Sequence, residues 1–352
     1  MDKIFKYVKY SNSYKLQVLD LLGELWNFSK EDRAKYFLWK FENNPFAKKP
    51  MAYIALDGEK VVAFRGYLIQ PFIINQKEFL IAALADTVTH PEYRRQGIFE
   101  KLTEYSLQEL SLCNNILAST NSSSGGPTLN GYLKLGWQPL TERDNVSYFS
   151  PIQFIKQRMG LNKETIDINK VELKIGLIFE ISPYFIPETF FIEIEGDRIN
   201  DSSISHLFSH EFYQWRLGNP IAKYIYTYLW DSGRIKAYVI LKQYQFGKFE
   251  IIDFKFYEKK YFEIILKQIK KQIKPIYLKM WIGGNNELVH NYLRYGFLPM
   301  KIVKKILFIK PTPPFLIRST KLIQNEDSWF IEGVDMRFKR SWNLFKIIGD
   351  ET

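Results

Sequence analysis

Apolar positions in "SYKLQVLDLLGELW", from Ser13, recur at spacings of three and four, which predicts a helix with one buried face. "MAYIALD" and "VVAFRGYLI" flank the turn "GEK" and predict a hairpin. "FLIAALADTV" is almost continuously apolar, as a central strand covered on both faces would be. "GIFEKLTEYSLQEL" returns to helical spacing, "NILAS" is a short strand, and "NSSSGGP" is a loop. "TLNGYLKL" is a helix ended by Gly136, and a last strand is expected from "WQPL" through "VSYF". The fold class that follows is α+β, with helices on a mixed, mostly antiparallel sheet.

The pattern then repeats. "FLWKFENNPFAKKPMAYIALDGEKVVAFRGYLI", from Phe37, has the same plan as "YQWRLGNPIAKYIYTYLWDSGRIKAYVILKQY", from Tyr213. "YLKLGWQP" from Tyr132 aligns without a gap to "YLRYGFLP" from Tyr292. Two matched blocks in one order imply a duplicated unit. The expected division is residues 1–150 for the first copy, 151–200 for a linker and the first strands of the second, 201–310 for the second copy, and 311–352 for a tail. Ile204 to Trp215 reads as an entry helix, and "KPTPPF" breaks regular structure before the tail. "DSWFIEGVDMRF" within that tail is too apolar for disorder and is expected to dock on the body.

Composition narrows the chemistry. A chain of 352 residues exceeds one usual core, so two domains are the default. The single cysteine, Cys113, excludes a disulfide framework, and four scattered histidines offer no ligand spacing, so no metal is expected. The first residues lack the apolar stretch of a signal peptide, and no later window stays uncharged long enough to span a bilayer, which leads to the expectation of a cytoplasmic protein. Net charge is +11, and Phe254 to Lys310 holds thirteen Lys or Arg against three Glu. Such an excess suits nucleic acid, a membrane surface or acidic small molecules, or is simply a solvated lysine-rich face.

"HPEYRRQGIFEKL", His90 to Leu102, places Arg94, Arg95, Gln96 and Gly97 where a helix begins. Helix N-termini leave amides without partners and carry partial positive charge, so a glycine there lets a phosphate come close. A plain strand-to-helix turn with surface arginines is the other reading of the motif alone.

In its context, after a long strand and before an amphipathic helix, a short strand and "GYLKLGW", the motif resembles the GNAT superfamily of acetyl-CoA-dependent N-acyltransferases. The family pattern is Arg/Gln-x-x-Gly-x-Gly/Ala; here it is Arg94-x-x-Gly97-x-Phe99, with a bulky ring in the usual small position. The resemblance covers Tyr14 to Phe149 well and Ser202 to Ile309 weakly, and it implies a tandem GNAT-like fold with a degenerate second copy. It implies that the amides of Arg95, Gln96, Gly97, Ile98 and Phe99, with Arg94 beside them, bind the coenzyme pyrophosphate. Val88 or Thr89 would polarise the thioester oxygen through a backbone amide, and Asn121 would hold the pantetheine arm.

Asp86 occupies the position of a family general base, against the alternative of a strand-end carboxylate bonded to backbone. Tyr132 matches the tyrosine that protonates the departing thiolate, although its repeat as Tyr292 also suits a packing role. A loop asparagine in a turn is the alternative for Asn121. The second copy keeps Asp253 in "IIDFKFYEKKYFEII" but has no glycine loop, so one coenzyme site is expected, in the first half.

The implied function is transfer of an acetyl group from acetyl-CoA to a primary amine of a small molecule. The late basic segment points to an anionic acceptor, for example a nucleotide-linked amino sugar of surface-polysaccharide synthesis. Two alternatives stand beside it: a FemABX-like transferase of the peptidoglycan bridge using aminoacyl-tRNA, and a non-catalytic GNAT-like binding module.

Overall fold

The computed structural model describes residues 4–122, 124–125, 127–142, 144–161, 166–173, 176–186, 203–282, 293–300, 305 and 314–344. The front half runs β1 (Lys6–Lys9), α1 (Lys15–Leu22), α2 (Lys30–Phe37), β2 (Ala52–Asp57), β3 (Lys60–Ile74), β4 (Lys77–Thr89), α3 (Ile98–Ser111), β5 (Ile116–Asn121), α4 (Pro127–Lys134), β6 (Gln138–Glu142) and β7 (Asp144–Phe149). It continues through α5 (Pro151–Arg158), β8 (Asn169–Glu172), β9 (Leu177–Ser182), β10 (Ile204–His206), α6 (His210–Leu217), β11 (Lys223–Asp231), β12 (Arg234–Gln245), β13 (Lys248–Phe256), α7 (Lys259–Gln272), β14 (Tyr277–Ile282), β15 (Leu298–Pro299) and β16 (Pro314–Ser319). Tyr292 and the last residues of the tail lie outside the described residues.

Two large mixed sheets carry the molecule. The front sheet has the order β1-β2-β3-β4-β5-β16-β6, with β10 added beside the far end of β3. The rear sheet has the order β15-β7-β14-β13-β12-β11-β9-β8. Most neighbours are antiparallel; β4–β5 and β13–β14 are the parallel pairs at the same place in each copy. β3 is buried at every residue after Lys60, because α3 and α4 cover one face of the front sheet while α1, α2 and the rear half cover the other. That two-sided burial is what the unbroken apolar run encodes.

Two local expectations are corrected, and part of the tail finds its place. The single strand from "WQPL" through "VSYF" is two strands: β6 closes the front sheet, whereas β7 crosses into the rear sheet between β14 and β15. The stretch Ile204 to Trp215 is not one helix: it opens with β10, and α6 starts at His210 with the Ser209 hydroxyl accepting from the Phe212 amide. The tail segment Pro314–Ser319 enters the front sheet between β5 and β6. A period-two pattern specifies that a segment is a strand but not which edge it joins, and here the front sheet gives up β7 and takes in β10 and β16.

The apolar interior forms three clusters. One lies under α3 and α4, one within the rear half, and one shared between the halves, where Trp39, Phe64, Trp215, Tyr238, Trp281 and Phe315 meet. At its centre the repeat contacts itself. The rings of Trp39 and Trp215 stack with centroids 5.6 Å apart, and each indole N–H donates to the other residue's carbonyl, at 2.6 and 2.9 Å. No described helix is long and apolar enough to cross a membrane, and no metal-ligating cluster occurs among the described residues.

Candidate functional site

The site begins with a fault in β4. Arg65 of β3 pairs with Thr87, but Tyr67 pairs with Leu84, so Ala85 and Asp86 together oppose Gly66. Gly66 suits the crowding there, since a Cβ would stand 2.4 Å from the Phe41 ring. A bulge of this kind re-aims side chains: Asp86 faces Trp26 and Lys40, in the segments that follow α1 and α2, while Thr87 faces α3 and α4. On its other edge β4 pairs with β5 only as far as Ala83, opposite Thr120. Beyond that point the two parallel strands part, and a cavity of about 500 Å³ opens between the end of β4, the start of α3 and α4.

The loop from His90 shapes one wall. Tyr93 donates to Asp57 Oδ2 at 2.9 Å, which ties the loop to the hairpin of β2 and β3. Arg95 (φ 64°) and Gly97 (φ 73°) are both left-handed, so the chain doubles back and enters α3 from the cavity side. Gly97 is the N-cap and brings no side chain to the first-turn amides. Ile98, Phe99 and Glu100 therefore begin the helix with no side-chain acceptor at its N-cap, the condition under which a bound anion is most favoured. Arg94 donates through Nε to the Thr89 carbonyl at 3.2 Å, and its Nη2 is 3.9 Å from Glu24.

Of the residues expected to hold a coenzyme, Val88, Thr89, Arg94, Arg95, Gly97, Ile98 and Phe99 line this cavity. Gln96 turns back to donate to the Glu92 carbonyl at 3.3 Å. Asn121 is buried and its side chain closes a turn: it donates to Ser124 Oγ and accepts from the Ser124 amide at 3.2 Å. Phe99, the departure from the family pattern, leans toward α4. Its ring is 5.2 Å from that of Tyr132, and it occupies the space beside Gly131, where a Cβ would come within 2.8 Å of Phe99 Cε1. The bulky residue on one helix is matched by a missing side chain on the other.

Asp86 is set among donors. Trp26 Nε1 donates to Oδ1 at 3.0 Å and Lys40 Nζ to Oδ2 at 2.6 Å. Lys40 is almost wholly buried and sits near the rings of Trp26, Tyr36 and Phe41. Tyr132 is buried on the opposite face of the sheet, one layer behind Phe99. Its hydroxyl accepts from Arg65 Nη2 at 3.3 Å. Arg65 is completely buried, with the rings of Phe99 and Tyr132 within 5.4 Å of its guanidinium carbon. Burial works against its charge, but the phenols of Tyr132 and Tyr67 outweigh that and hold it protonated. Burial in turn pushes the Tyr67 phenol up, which keeps it neutral beside Ser106.

Sequence reasoning missed Lys40, Arg65, Thr87, Gly131 and Lys134, which complete the walls and the layer behind them. Arg65 had a signal: it is the lone charge inside the apolar run "VVAFRGYLI". Lys40 had the weaker signal of following Trp39 in a segment that repeats.

Residues 6–140 match the family model described as acetyltransferase (GNAT) domain. No curated protein matches the chain. Among solved structures, it is similar to a GCN5-related N-acetyltransferase from Anabaena variabilis, at 14% identity and a TM-score of 0.60, covering 91% of this chain and 74% of that one. A tandem GNAT protein from the clavulanic acid biosynthesis pathway is similar at 12% identity and a TM-score of 0.55, covering 90% and 99%. The N-myristoyltransferase of Saccharomyces cerevisiae with bound myristoyl-CoA follows at 11% identity and a TM-score of 0.53, covering 89% and 81%. At such identities the likeness is one of fold, and it extends over both halves. With its bulged fourth strand and glycine-opened helix, the segment 6–140 is similar to the acetyltransferase (GNAT) domain that it matches, and the fold of the whole is similar to that of a tandem GNAT protein.

Proposed function

We propose that this protein is an N-acetyltransferase that takes its acetyl group from acetyl-CoA and gives it to a primary amine of a small molecule. One observation carries the reading: the first turn of α3, with no capping side chain, opens on a cavity of about 500 Å³ lined by the end of β4 and by α4. Coenzyme A supplies an activated thioester and a pyrophosphate. The amides from Arg95 to Phe99 meet the pyrophosphate, with Arg94, Arg95 and Lys134 adding positive charge to the walls. Of Val88 and Thr89, the Thr89 amide is the one turned away from β3, because the His90 amide donates to the Val62 carbonyl and successive strand amides alternate, and it would polarise the thioester oxygen.

Asp86 acts as the base that accepts the amine proton. Trp26 and Lys40 fix its carboxylate in place by donating to Oδ1 and Oδ2. Tyr132 supplies a proton to the departing sulfur: arginine can only donate, so the Tyr132 oxygen accepts from Arg65 and its own hydrogen is left to be given elsewhere. Asn121 supports the loop after β5 rather than the pantetheine arm. The basic excess between Phe254 and Lys310 favours an anionic acceptor, for which a nucleotide-linked amino sugar is the type, and the reaction belongs in the cytoplasm, where acetyl-CoA is made available.

Thermal denaturation with acetyl-CoA, and separately with total tRNA, tests this reading. Acetyl-CoA at a hundred times its Kd adds about 2.7 kcal/mol of stability, and the Arg94→Glu, Gly97→Glu variant loses that gain. Stabilisation by tRNA alone, fading steeply with salt, would instead indicate the aminoacyl-tRNA class. Release of free thiol from acetyl-CoA across an amine library then identifies the acceptor.

A further inference from the structure

We infer that Arg65 and Thr87 form a buried donor pair that receives the negative charge building on the acyl thioester during transfer. The inference rests on the acyltransferase reading above and adds two residues to its machinery. Arg65 and Thr87 are directly paired across β3 and β4, on the face covered by α3 and α4. Arg65 is 0% exposed, yet its Nε and Nη1 have no hydrogen-bond partner among the described residues. The Thr87 hydroxyl is likewise buried without a partner, and Thr87 lines the cavity.

A buried guanidinium with two unpartnered nitrogens is costly in a finished core, where such charges come paired and hydrogen-bonded. Around Arg65 the polar partners are phenols, Tyr132 and Tyr67, and no carboxylate approaches it among the described residues. What the cluster lacks is an acceptor, and Phe99 is the side chain that lies against both the guanidinium and the cavity. A ligand with an acceptor oxygen or an anionic sulfur, entering past that ring, supplies what is missing.

The reaction supplies both in turn. As the amine nitrogen bonds to the acyl carbon, the carbonyl π pair moves onto oxygen. When that pair returns, the C–S bond breaks and its electrons leave on sulfur. The amine proton is lost to the base, and the sulfur gains one from Tyr132, which is reprotonated in exchange with solvent. Arg65 and Thr87 donate to the atom that holds the charge, and Arg65 also steadies the Tyr132 oxygen after it gives its proton. Preorganised donors of this kind are typically worth about 10²–10³ in rate.

The test uses the full chain with acetyl-CoA and the acceptor found by thiol release. Arg65→Met is expected to lower kcat about 100-fold and Thr87→Val about 10-fold, with acetyl-CoA affinity by calorimetry changed less than about threefold. Arg65→Lys recovers about tenfold of the loss, since it restores charge without the fork. Free of ligand, Arg65→Met keeps or raises the Tm, because an unsatisfied charge has been replaced by apolar volume. A kcat unchanged in Arg65→Met, or a large fall in Tm that Arg65→Lys does not repair, overturns the inference by making Arg65 inert or structural. Should Arg65→Met fail to fold, Thr87→Val decides: wild-type kcat in that variant overturns the pair. Wild-type protein with neither thiol release nor acetyl-CoA binding refutes the acetyltransferase reading instead.

Discussion

The two copies start alike and end differently at the same place. In both, a tyrosine donates to the aspartate of the first hairpin, Tyr93 to Asp57 at 2.9 Å in front and Tyr261 to Asp231 at 3.0 Å behind. In front, the residues from Arg94 to Gly97 intervene before α3 begins; behind, Tyr261 already stands inside α7, whose N-cap is Glu258. Where β4 offers Thr87 and Thr89, β13 offers Phe254 and Phe256, and their rings stack on Phe262 at 4.9 and 4.8 Å. Asp253, at the position of Asp86, accepts from the hydroxyls of Tyr213 and Tyr238 at 2.6 and 2.7 Å. The comparison teaches that a parted strand pair becomes a cavity only when small side chains and a backward-turning loop keep it open; aromatic rings at the same positions turn it into core.

Four substitutions bear on that comparison, beginning with what the copies share. Trp39→Ala removes a stacked ring and a hydrogen bond at the contact between them, and is expected to cost about 3–5 kcal/mol by urea denaturation. Trp215→Ala should cost nearly as much, and the double variant less than their sum, because both remove one contact. Asp86→Asn takes the carboxylate away from the buried Lys40 ammonium and should cost about 3 kcal/mol, whereas Asp253→Asn weakens the hydrogen bonds from Tyr213 and Tyr238 and should cost about 1 kcal/mol. Equal losses would mean that Lys40 adds nothing at the front site.

Gly97→Ala should cost about 1–2 kcal/mol, because a Cβ there meets nothing within 4 Å and the penalty is one of backbone alone. Gly58→Ala, with φ of 60° and equally open surroundings, is the control: a similar loss of stability with no loss of acetyl-CoA response.

The smallest effect lies behind. Burial lowers the Lys270 amine to about 8, where it donates to the Tyr295 carbonyl and sits 4.4 Å from the Tyr148 ring centre. A lysine whose folded value is lowered binds fewer protons than in the unfolded chain between pH 8 and the ordinary 10.5. Stability therefore rises with pH across that window, and the cost of the buried charge is fully present below pH 8. Lys270→Met should gain about 1 kcal/mol at pH 7, after discounting for partial exposure, and the gain should shrink by pH 10.

How much of this was legible follows the range of each interaction. The loop before α3 was readable because its glycine, its arginines and the helix they introduce lie within a dozen residues. The repeat was readable because Trp39 and Trp215 keep the same neighbours, although nothing in their sequence said that the two rings would face each other. The surroundings of Asp86 were hidden, since Trp26 and Lys40 come from segments 60 and 46 residues away. Phe99 read as an obstacle because its compensation, Gly131, sits on another helix. The strand exchange was illegible for a different reason: β6, β7 and β16 each look like strands, and pairing partners are settled by the whole assembly.

That exchange also sets an order of events in time. Because β16 lies between β5 and β6, the front sheet has a gap until Ser319 has left the ribosome, long after the segment carrying the loop and α3 has emerged. Chains usually fold domain by domain as they are made, whereas here β5 and β6 lack the strand between them until β16 is made, so a product stopping short of Pro314 is expected to be cut by proteases faster than the full chain.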